Sequence, residues 1–414
     1  MAALADATLL ALSRISVGTP VTDDTDFTAM TPAQVAAKFE LWSRGSEITL
    51  QSVGGEWVTL EDDEPAVNDR GLTPCGSFTQ LALDCLLTAK SVGVIFNGGG
   101  WDVYGNGATI EILAKGTENG LPYVDMKISG TPTVDNCSIC LPPGWGFLPA
   151  ANISLGETVT LRTHVDNVTL GSAFRMRRLL YQVEGWPYLN DVLSTYSGMS
   201  KLTATDVGIE SSPFAQMSTW VDVPPNVPIS EPVLWRQFPI LAAKNCYVPD
   251  HVHVLNESTT TPYTSLAEIT QREVAVWKPF VKVIKATTHE DPGAHQVFYS
   301  LSRSADELVE VYRATSTDQI TLKIRSGGVD YTKTLGSVAD STAFSVAINV
   351  FASFTAASLD GGTVQVLTAP KPSGVLTLES IGCKHDGTLQ CGGPIAECNL
   401  IHPAVWNAAQ LEAA

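Results

Sequence analysis

A series of strand-like segments in the last third of the chain constrains the fold most. The segments are rich in β-branched and aromatic residues: Val274 to Ile284, Gln296 to Leu301, Glu307 to Tyr312, Gln319 to Ile324, Val329 to Leu335 and Phe344 to Phe351. Glycine turns such as Gly327-Gly328 divide them. Short strands in series with few helical stretches between them are typical of an antiparallel sandwich or barrel. No sequence repeat of fixed period is visible, so a propeller or a solenoid is not expected.

Alternation within the last of these segments predicts a hydrophobic core on one side of the strand. Phe344, Val346, Ile348 and Val350 alternate with smaller or polar neighbours. Successive side chains of a strand point to opposite faces, so these four share one face. We expect that face to cover the core.

The order of elements in this region is characteristic. A long strand leads to Val297 to Leu301, a hairpin carries Leu322 to Gly328, and a tight turn follows at Ser358 to Gly361. The chain then ends with Gly392 to Leu400 and Trp406 to Leu411. This order resembles the concanavalin A-like/laminin G-like jelly rolls at the C-termini of many bacteriophage structural proteins. The resemblance implies a final core strand and a short helix, which Asn407 caps and whose Leu411 closes the sandwich.

The length of 414 residues is enough for two or three domains, and we expect three. Residues 1–150 are predicted to form a mixed, mostly β domain that anchors the protein to a particle, with a helix that Thr31 caps and Pro32 begins. Residues 151–265 are predicted to be a helix-containing, Pro-rich connecting region, and 266–414 the sandwich. The rigid turn from Pro142 to Gly146 marks the first boundary. The fold class is therefore mainly β, with an antiparallel β-sandwich of jelly-roll type at the C-terminus.

The middle region is predicted to combine helices with extended chain. The apolar spacing between Phe174 and Tyr196 is helical, and Gly185-Trp186-Pro187 divides it into two helices. Prolines then cluster from Pro213 to Pro239. Because proline lacks a backbone donor, we expect this segment to be extended chain without a continuous hydrogen-bond ladder.

Composition and charge exclude several classes of partner. The chain has 25 Lys and Arg against 43 Asp and Glu, which gives a formal net charge of -18. Such a charge repels nucleic acid and anionic membrane surfaces. No apolar tract is long enough to span a bilayer, and the stretch from Met1 to Ile15 has no basic region, so neither membrane insertion nor a secretion signal is expected.

The cysteines favour core packing over metal binding. Eight cysteines are too sparse for a disulfide framework in a chain of this length. The densest group of ligand-type residues comprises Cys383, His385, Cys391, Cys398 and His402. It lacks the paired Cys-x2-Cys of structural zinc sites, so core packing is the favoured interpretation and a zinc site is the alternative.

Three further motifs are weak. His251 and His253 would share one strand face beside Asp250, but the sequence places no third metal ligand. Cys137 and Cys140 form one Cys-x2-Cys without its partner pair, and the glycine-rich segment from Asn97 to Gly100 is not followed by a phosphate-binding helix. No metal and no cofactor are therefore expected.

Catalysis is not expected either. A glycosidase of sandwich type needs two carboxylates presented together across a cleft. Asp306, Glu307 and Glu310 lie at a turn and a strand start with the wrong alternation, and no Gly-x-Ser-x-Gly motif is present. No catalytic residue is assigned, and the ligand-binding residues stay open.

The expected function follows from the resemblance. It implies a virion structural protein of tail, fibre or capsid-decoration type, assembled in the host cytoplasm, whose sandwich binds a host surface glycan or another virion protein. We expect a homo-oligomer, because Trp186, Trp220 and Trp235 suit contacts between subunits, although they could instead fill a core. The alternative is a polysaccharide-acting enzyme with the sandwich as an accessory carbohydrate-binding module. An extracellular adhesion protein would require a secretion route.

Overall fold

The structure is a computed structural model. The residues that it describes are 21–41, 46–62, 64–81, 84, 90–96, 102–141, 159–169, 174–182, 188–195, 200–206, 213–244, 248, 251–256, 258, 263–265, 267–276, 279–289, 295–315, 317–351, 354–388, 391 and 393–414. The segment from Met1 to Ile15 and the predicted boundary turn from Pro142 to Gly146 lie outside these residues. None of the helices in the described residues is long and apolar enough to cross a membrane.

Strands dominate the first two thirds of the described chain. They are β1 (Val21–Asp23), β2 (Ile48–Gln51), β3 (Trp57–Leu60), β4 (Val67–Asn68), β5 (Gly71–Leu72), β6 (Phe78–Gln80), β7 (Gly93–Val94), β8 (Asp102–Tyr104), β9 (Ala108–Glu118), β10 (Leu121–Gly130), β11 (Asn136–Leu141), β12 (Val159–Asp166), β13 (Phe174–Gln182), β14 (Tyr188–Thr195), β15 (Ser200–Asp206), β16 (Pro213–Asp222), β17 (Val233–Gln237), β18 (Leu241–Lys244), β19 (Val252–His253) and β20 (Tyr263–Ser265). A 3-10 helix (Phe27–Ala29) and helix α1 (Pro32–Lys38) precede β2.

The last third is also built of strands. They are β21 (Thr270–Val276), β22 (Phe280–Thr287), β23 (Gln296–Ser304), β24 (Glu307–Arg313), β25 (Gln319–Ser326), β26 (Val329–Ser337), β27 (Ala343–Val350), β28 (Thr355–Leu359), β29 (Gln365–Leu367), β30 (Leu376–Ile381) and β31 (Ile395–His402). Helix α2 (Ala408–Glu412) ends the chain. The prediction of a mainly β fold class is confirmed.

The chain divides into two compact units. The sandwich unit contains the described residues of Met1–Ser46, Leu60–Gly76 and Leu266–Ala414, and the second unit contains those of Glu47–Thr59 and Ser77–Ser265. This division differs from the predicted three domains at 1–150, 151–265 and 266–414. N-terminal segments belong to the sandwich unit because β1 pairs with β31 and β5 also pairs with β31. The register of such distant strands is not visible in a local pattern.

Gly71 illustrates how closely the N-terminal segment approaches the sandwich. Its φ is +110°, and a Cβ at this position would lie 2.3 Å from the carbonyl oxygen of Ile395. Only glycine permits that backbone conformation and that distance together. β5 can therefore lie directly against β31.

Two antiparallel sheets form the sandwich unit. In the described part of the chain, the eight-stranded sheet has the order β29-β28-β27-β22-β31-β5-β4, with β1 also paired to β31. The six-stranded sheet has the order β21-β30-β23-β24-β25-β26. One hydrophobic core contains side chains of both sheets, among them Phe298 of β23 and Phe344 of β27, whose ring centroids are 4.8 Å apart. Two sheets around a shared core define a β-sandwich, as predicted.

The long strand predicted from Val274 to Ile284 is two strands. β21 belongs to the six-stranded sheet and β22 to the eight-stranded sheet. Pro279 lies immediately before β22, and proline cannot donate a hydrogen bond to a ladder. The chain therefore passes from one sheet to the other at this point.

The terminal helix covers the outer face of the eight-stranded sheet. Asn407 caps α2 by accepting a hydrogen bond from the Gln410 amide at 2.9 Å, as the resemblance implies. Leu411 is buried in a second cluster with Val281, Val283 and Ala347. β27 therefore has hydrophobic contacts on both faces, whereas the alternation of Phe344, Val346, Ile348 and Val350 predicted only the inner one.

The N-terminal helix begins as predicted. The Thr31 side chain accepts a hydrogen bond from the Gln34 amide, the Gln34 side chain accepts one from the Thr31 amide, and Pro32 is the first helical residue. Val35 and the following Phe39 are buried in the core of the sandwich. Helix α1 thus fixes the N-terminal segment to the sandwich unit.

The second unit is also built from antiparallel sheets, and the two helices predicted between Phe174 and Tyr196 are wrong. β13 and β14 replace them and pair with each other, and β13 also pairs with β16. The apolar spacing that suggested helices fits a strand equally well once partner strands supply hydrogen bonds to both edges of β13. Tertiary pairing therefore overrides the local spacing.

The segment from Pro213 to Pro239 also forms ladders, contrary to the prediction. β16 pairs with β13 from Pro213 to Val221 and with β11 from Met217 to Asp222, and β17 pairs with β10. Pro213 is the first residue of β16, a position where a missing donor is tolerated. The remaining prolines of the segment lie outside the strands: Pro224, Pro225, Pro228, Pro232 and Pro239.

Candidate functional site

A polar row crosses the outer face of the six-stranded sheet. Strand register places one residue of each strand opposite the next, in the order Gln271, Ser380, Ser300, Glu310, Lys323 and Thr332. The inward-facing neighbours of Glu310, Val309 and Val311, lie in the core, so Glu310 and its partners face away from it. We call these six residues the polar row. A continuous polar row on a sheet face presents hydrogen-bonding groups side by side.

The centre of the polar row has short side chains with longer ones beside them. Ser300 and Ser380 are both 0% exposed, and Glu310 is 3% exposed. The Gln271 amide Nε2 donates to Ser380 Oγ at 2.8 Å and to the carbonyl oxygen of His385 at 3.1 Å. The serines therefore form the floor of the face, and Gln271 is held on one side of it.

Two atoms of this floor have no hydrogen-bond partner. They are the hydroxyl Oγ of Ser300 and the carboxylate Oε1 of Glu310. Ser300 and Glu310 lie directly opposite each other on β23 and β24. A buried polar atom without a partner destabilises the fold by about 1–3 kcal/mol, and such atoms are rare in proteins. The pair therefore marks a position where the fold alone leaves hydrogen-bonding capacity unused.

The charges around these atoms are balanced within the face. Lys323 Nζ lies 3.3 Å from Glu310 Oε2 and 3.5 Å from Asp330 Oδ2. Arg325 Nε lies 3.2 Å from the other oxygen of Asp330. Two carboxylates and two cations thus form one connected group on β24, β25 and β26.

Tyr312 supplies an aromatic ring beside the polar row. It lies opposite Thr321, on the same face of β24 as Glu310. Burial and then the negative charges of Glu310 and Asp330 raise the pKa of the Tyr312 phenol, so it stays protonated at neutral pH. The ring of His295 lies 4.8 Å from it, centroid to centroid. The face therefore combines an aromatic ring with donors and acceptors.

A second charged group lies inside the sandwich and joins its two sheets. Lys282 Nζ of β22 is 2.8 Å from Glu379 Oε1 of β30, and both side chains are fully buried. Arg272 Nε binds the other Glu379 oxygen at 2.6 Å, and Arg272 also pairs with Asp23 of β1. Lys282 Nζ lies 4.4 Å from the centroid of the Tyr299 ring. This interior network links Lys282, Glu379, Arg272 and Asp23 by ion pairs.

The members of the interior network keep their charges. Burial by itself raises the pKa of Glu379, but the charges and hydrogen bonds of Lys282 and Arg272 outweigh it and lower that pKa. Burial likewise lowers the pKa of Lys282, and Cys398 and Glu379 raise it by more. Each charged group of the network has an oppositely charged partner, so the network stabilises the fold. The polar row, in contrast, contains two polar atoms without a hydrogen-bond partner.

The three cysteines of the cluster formed by Cys383, His385, Cys391, Cys398 and His402 are core residues, as the favoured interpretation predicted. Cys391 and Cys398 belong to the sandwich core, and Cys383 is buried. Burial raises the pKa of Cys383 to about 12 and that of Cys398 to about 11, which keeps both thiols protonated. The described residues contain no group of three or more His, Cys, Asp or Glu residues arranged to hold a metal ion.

The weaker motifs contribute little to the site. His253 is buried on β19, where its ring lies edge-on to Trp57 at 6.4 Å. Cys137 is buried on β11, and its thiol donates to the carbonyl oxygen of Gly105 at 3.1 Å. Asp250 and the segment from Asn97 to Gly100 lie outside the described residues.

The carboxylates considered for catalysis take different positions. Asp306 is exposed at a turn, and Glu307 accepts a hydrogen bond from the Gly327 amide at 3.0 Å. Glu310 belongs to the polar row, which sequence reasoning did not assign as a site. Period-two alternation in β24 and β25 does place Glu310 and Lys323 on the outer face, but only the strand register puts them opposite each other. The strand register is the information that the sequence pattern lacks.

Trp235 is buried in the core of the second unit, so it is not an exposed contact residue and the core-filling alternative is correct for it. Trp186 lies outside the described residues, and the side chain of Trp220 is not described. The expected oligomer therefore draws no support from Trp235.

No known protein family and no curated protein matches this sequence. Several solved structures show slight similarity, and they include the following two. Domains LG4-5 of the mouse laminin alpha1 chain align with 76% of this chain and 93% of theirs, at 7% identity and a TM-score of 0.23. A truncated AlyQ with CBM32 and alginate lyase domains aligns with 73% of this chain and 97% of its own, at 9% identity and a TM-score of 0.21. Similarity this low identifies neither a fold nor a function.

Proposed function

We propose that this protein is a phage virion structural component of tail, fibre or capsid-decoration type, and that its sandwich binds a host surface glycan. The observation that carries the binding role is the polar row with the unpartnered Ser300 and Glu310 atoms. In this proposal the outer face of the six-stranded sheet is the glycan-binding face. Another virion protein is the competing ligand for the same face.

The chemistry of the face supports a glycan. A sugar presents many hydroxyl groups, and each both donates and accepts hydrogen bonds. The polar row offers hydroxyl, amide, carboxylate and ammonium groups in one line, and the Tyr312 ring lies beside it. Ligand sites commonly combine a few placed polar groups with aromatic surface.

The virion assignment is supported by architecture. The chain resembles phage structural proteins in its terminal sandwich, its acidic charge and the order of its C-terminal elements. In this proposal the N-terminal two thirds anchors the protein to the particle. The partners are other virion proteins, and neither nucleic acid nor a membrane is a ligand.

The position of Lys323 supports binding over hydrolysis. Glu310 and Asp330 are two carboxylates of this face, and the Lys323 ammonium contacts both, at 3.3 and 3.5 Å. A glycosidase needs the scissile bond between its two carboxylates. An ammonium group occupies that space here, so we propose that the protein is not an enzyme.

Exposed apolar side chains of the second unit support a homo-oligomer. Val92, Val94 and Phe96 lie two residues apart and are 61%, 52% and 74% exposed. β7, which contains Val94, is at the end of the order of the nine-stranded sheet. Edge strands with exposed apolar residues tend to pair with another chain. We propose that a second copy of this chain covers the stripe formed by Val92, Val94 and Phe96.

A glycan array with the full chain tests the binding role. Thr332 is exposed at the end of the polar row, so Thr332→Trp should block part of the face and reduce binding about tenfold. The matched control is Thr363→Trp, in an exposed turn after β28 of the other sheet. Equal binding by both variants, or no glycan bound by the wild type, contradicts the proposal.

The virion role has its own test. Mass spectrometry and cryo-electron microscopy of the source particles should find this chain in stoichiometric amount at a symmetric position, with the sandwich outward. A chain absent from purified particles contradicts the virion role without affecting the binding role.

A further inference from the structure

The two unpartnered atoms of the polar row specify the kind of group that would satisfy them. The Ser300 hydroxyl can donate or accept, whereas the Glu310 carboxylate oxygen can only accept. The two residues are direct partners on adjacent strands, where Cβ atoms are about 4.5–5.5 Å apart. One ligand hydroxyl can therefore contact both: it accepts from Ser300 and donates to Glu310.

Within the part of the chain that the structure describes, no neighbouring polar group fills this role. The second Glu310 oxygen pairs with Lys323, and the Ser380 hydroxyl accepts from Gln271. The free capacity is thus confined to one donor and one acceptor at the centre of the row. Six strands spaced roughly 4.8 Å apart make the row about 24 Å wide, which suits an extended chain of linked sugars.

We propose that the polar row binds an uncharged polysaccharide, one of whose hydroxyl groups bridges Ser300 and Glu310. This inference rests on the proposed glycan-binding role. An anionic polysaccharide would meet the carboxylates of Glu310 and Asp330 and the formal charge of -18. A cationic one would compete with Lys323 and Arg325, which already neutralise those carboxylates. An uncharged ligand introduces no further charge into this group of ion pairs.

Both atoms are buried in the free protein, so a ligand reaches them only after the side chains that cover them move. Ser300 is fully buried, and Lys323, whose side chain is 14% exposed, is tied to Glu310 and Asp330. Lysine has a long flexible chain that can turn toward solvent while it keeps its contact with Asp330. Salt weakens the Lys323 ion pairs, so it does not oppose this movement.

The test is a binding panel with three classes of immobilised oligosaccharide: uncharged glucans and mannans, uronate polymers, and amino-sugar polymers with free amines. We expect the full chain to bind members of the uncharged class, with a Kd that changes less than about twofold between low and high salt. Hits confined to the uronate or amino-sugar class overturn this inference but leave glycan binding intact. If nothing in any class binds, glycan binding itself fails.

Variants locate the contact. Glu310→Gln should weaken binding about tenfold, and Ser300→Ala about threefold to tenfold. Ser300→Ala removes an unpartnered buried hydroxyl, so the thermal stability of the free protein should not fall. Ser358→Ala, a buried serine of the eight-stranded sheet, is the control and should bind as the wild type does. Unchanged affinity in both Ser300→Ala and Glu310→Gln overturns the inference.

Discussion

The ammonium of Lys282 and the carboxylate of Glu379 lie 2.8 Å apart in the interior of the sandwich, and neither side chain is exposed. The contact joins β22 of one sheet to β30 of the other. Removal of one partner from a buried pair destabilises a protein by roughly 3–5 kcal/mol, because the remaining charge stays buried. We expect Lys282→Met to lower the free energy of unfolding by about that amount in chemical denaturation.

A double variant distinguishes a buried unpaired charge from a simple packing defect. In Lys282→Met/Glu379→Leu both members of the pair are apolar, and Arg272 retains Asp23. Replacement of a whole ion pair by apolar residues is often close to neutral. The double variant should therefore recover much of the loss, and a loss equal to the sum of the single variants would contradict this account.

Acid should remove the stabilisation that Asp23 of β1 gives to the sandwich unit. Burial raises the pKa of Asp23, but its contacts with Lys38 and Arg272 outweigh burial and lower that pKa below its ordinary value of 3.8. A lowered folded-state pKa stabilises the fold above the unfolded pKa, and this stabilisation is lost as pH falls through the folded pKa. Asp23→Asn should therefore be less stable than the wild type at neutral pH, and the difference should begin to shrink near pH 3.8 and disappear as the pH falls through the lower folded-state pKa.

Urea denaturation across pH measures this effect. Asp24→Asn is the control, because it removes the same charge from an exposed neighbouring residue. A stability difference between Asp23→Asn and the wild type that is constant down to strong acid would show that Asp23 does not act through its charge.

The terminal helix should contribute directly to stability. Leu411 is 1% exposed and packs on the outer face of the eight-stranded sheet. Substitution of a buried leucine by alanine costs roughly 2–5 kcal/mol. Leu411→Ala should lower the unfolding free energy by about that amount, while the exposed control Glu412→Ala should change it by less than about 1 kcal/mol. Equal effects of the two substitutions would mean that the helix does not close the sandwich.

Loss of an apolar side chain from the exposed stripe should weaken self-association. Phe96 is 74% exposed, and its substitution by serine removes the largest apolar surface of the stripe. Sedimentation velocity should show an oligomer for the wild type and a smaller species for Phe96→Ser. Val53→Ser, at an isolated turn residue that is 66% exposed, should behave as the wild type does. A wild type that stays monomeric at high concentration would contradict the oligomer.

Local patterns predicted the sandwich well and the middle of the chain poorly. Strand spacing and the Gly327-Gly328 turn depend on neighbouring residues, so the local pattern was sufficient for them. The Asn407 cap and the buried Leu411 were implied by the resemblance. The pairing of β1 and β5 with β31 depends on residues several hundred positions apart. The spacing of Met176, Leu179 and Leu180 fits both a helix and a strand, and only the partner strands decide between them.

The candidate site was hidden for the same reason. Ser300, Glu310 and Lys323 are unremarkable singly, and alternation places each on an outer face. Only the register of five strands puts them beside Ser380 and Gln271 in one row. The unpartnered oxygen atoms are visible only when the side chains are packed.

Glycan binding at the polar row is tested most directly by a crystal structure of the full chain with the oligosaccharide that binds it best. The sugar should lie over the six-stranded sheet, with one hydroxyl within hydrogen-bond distance of both Ser300 Oγ and Glu310 Oε1. Sugar bound at the edge of the sandwich or on the second unit, with the polar row empty, would contradict it.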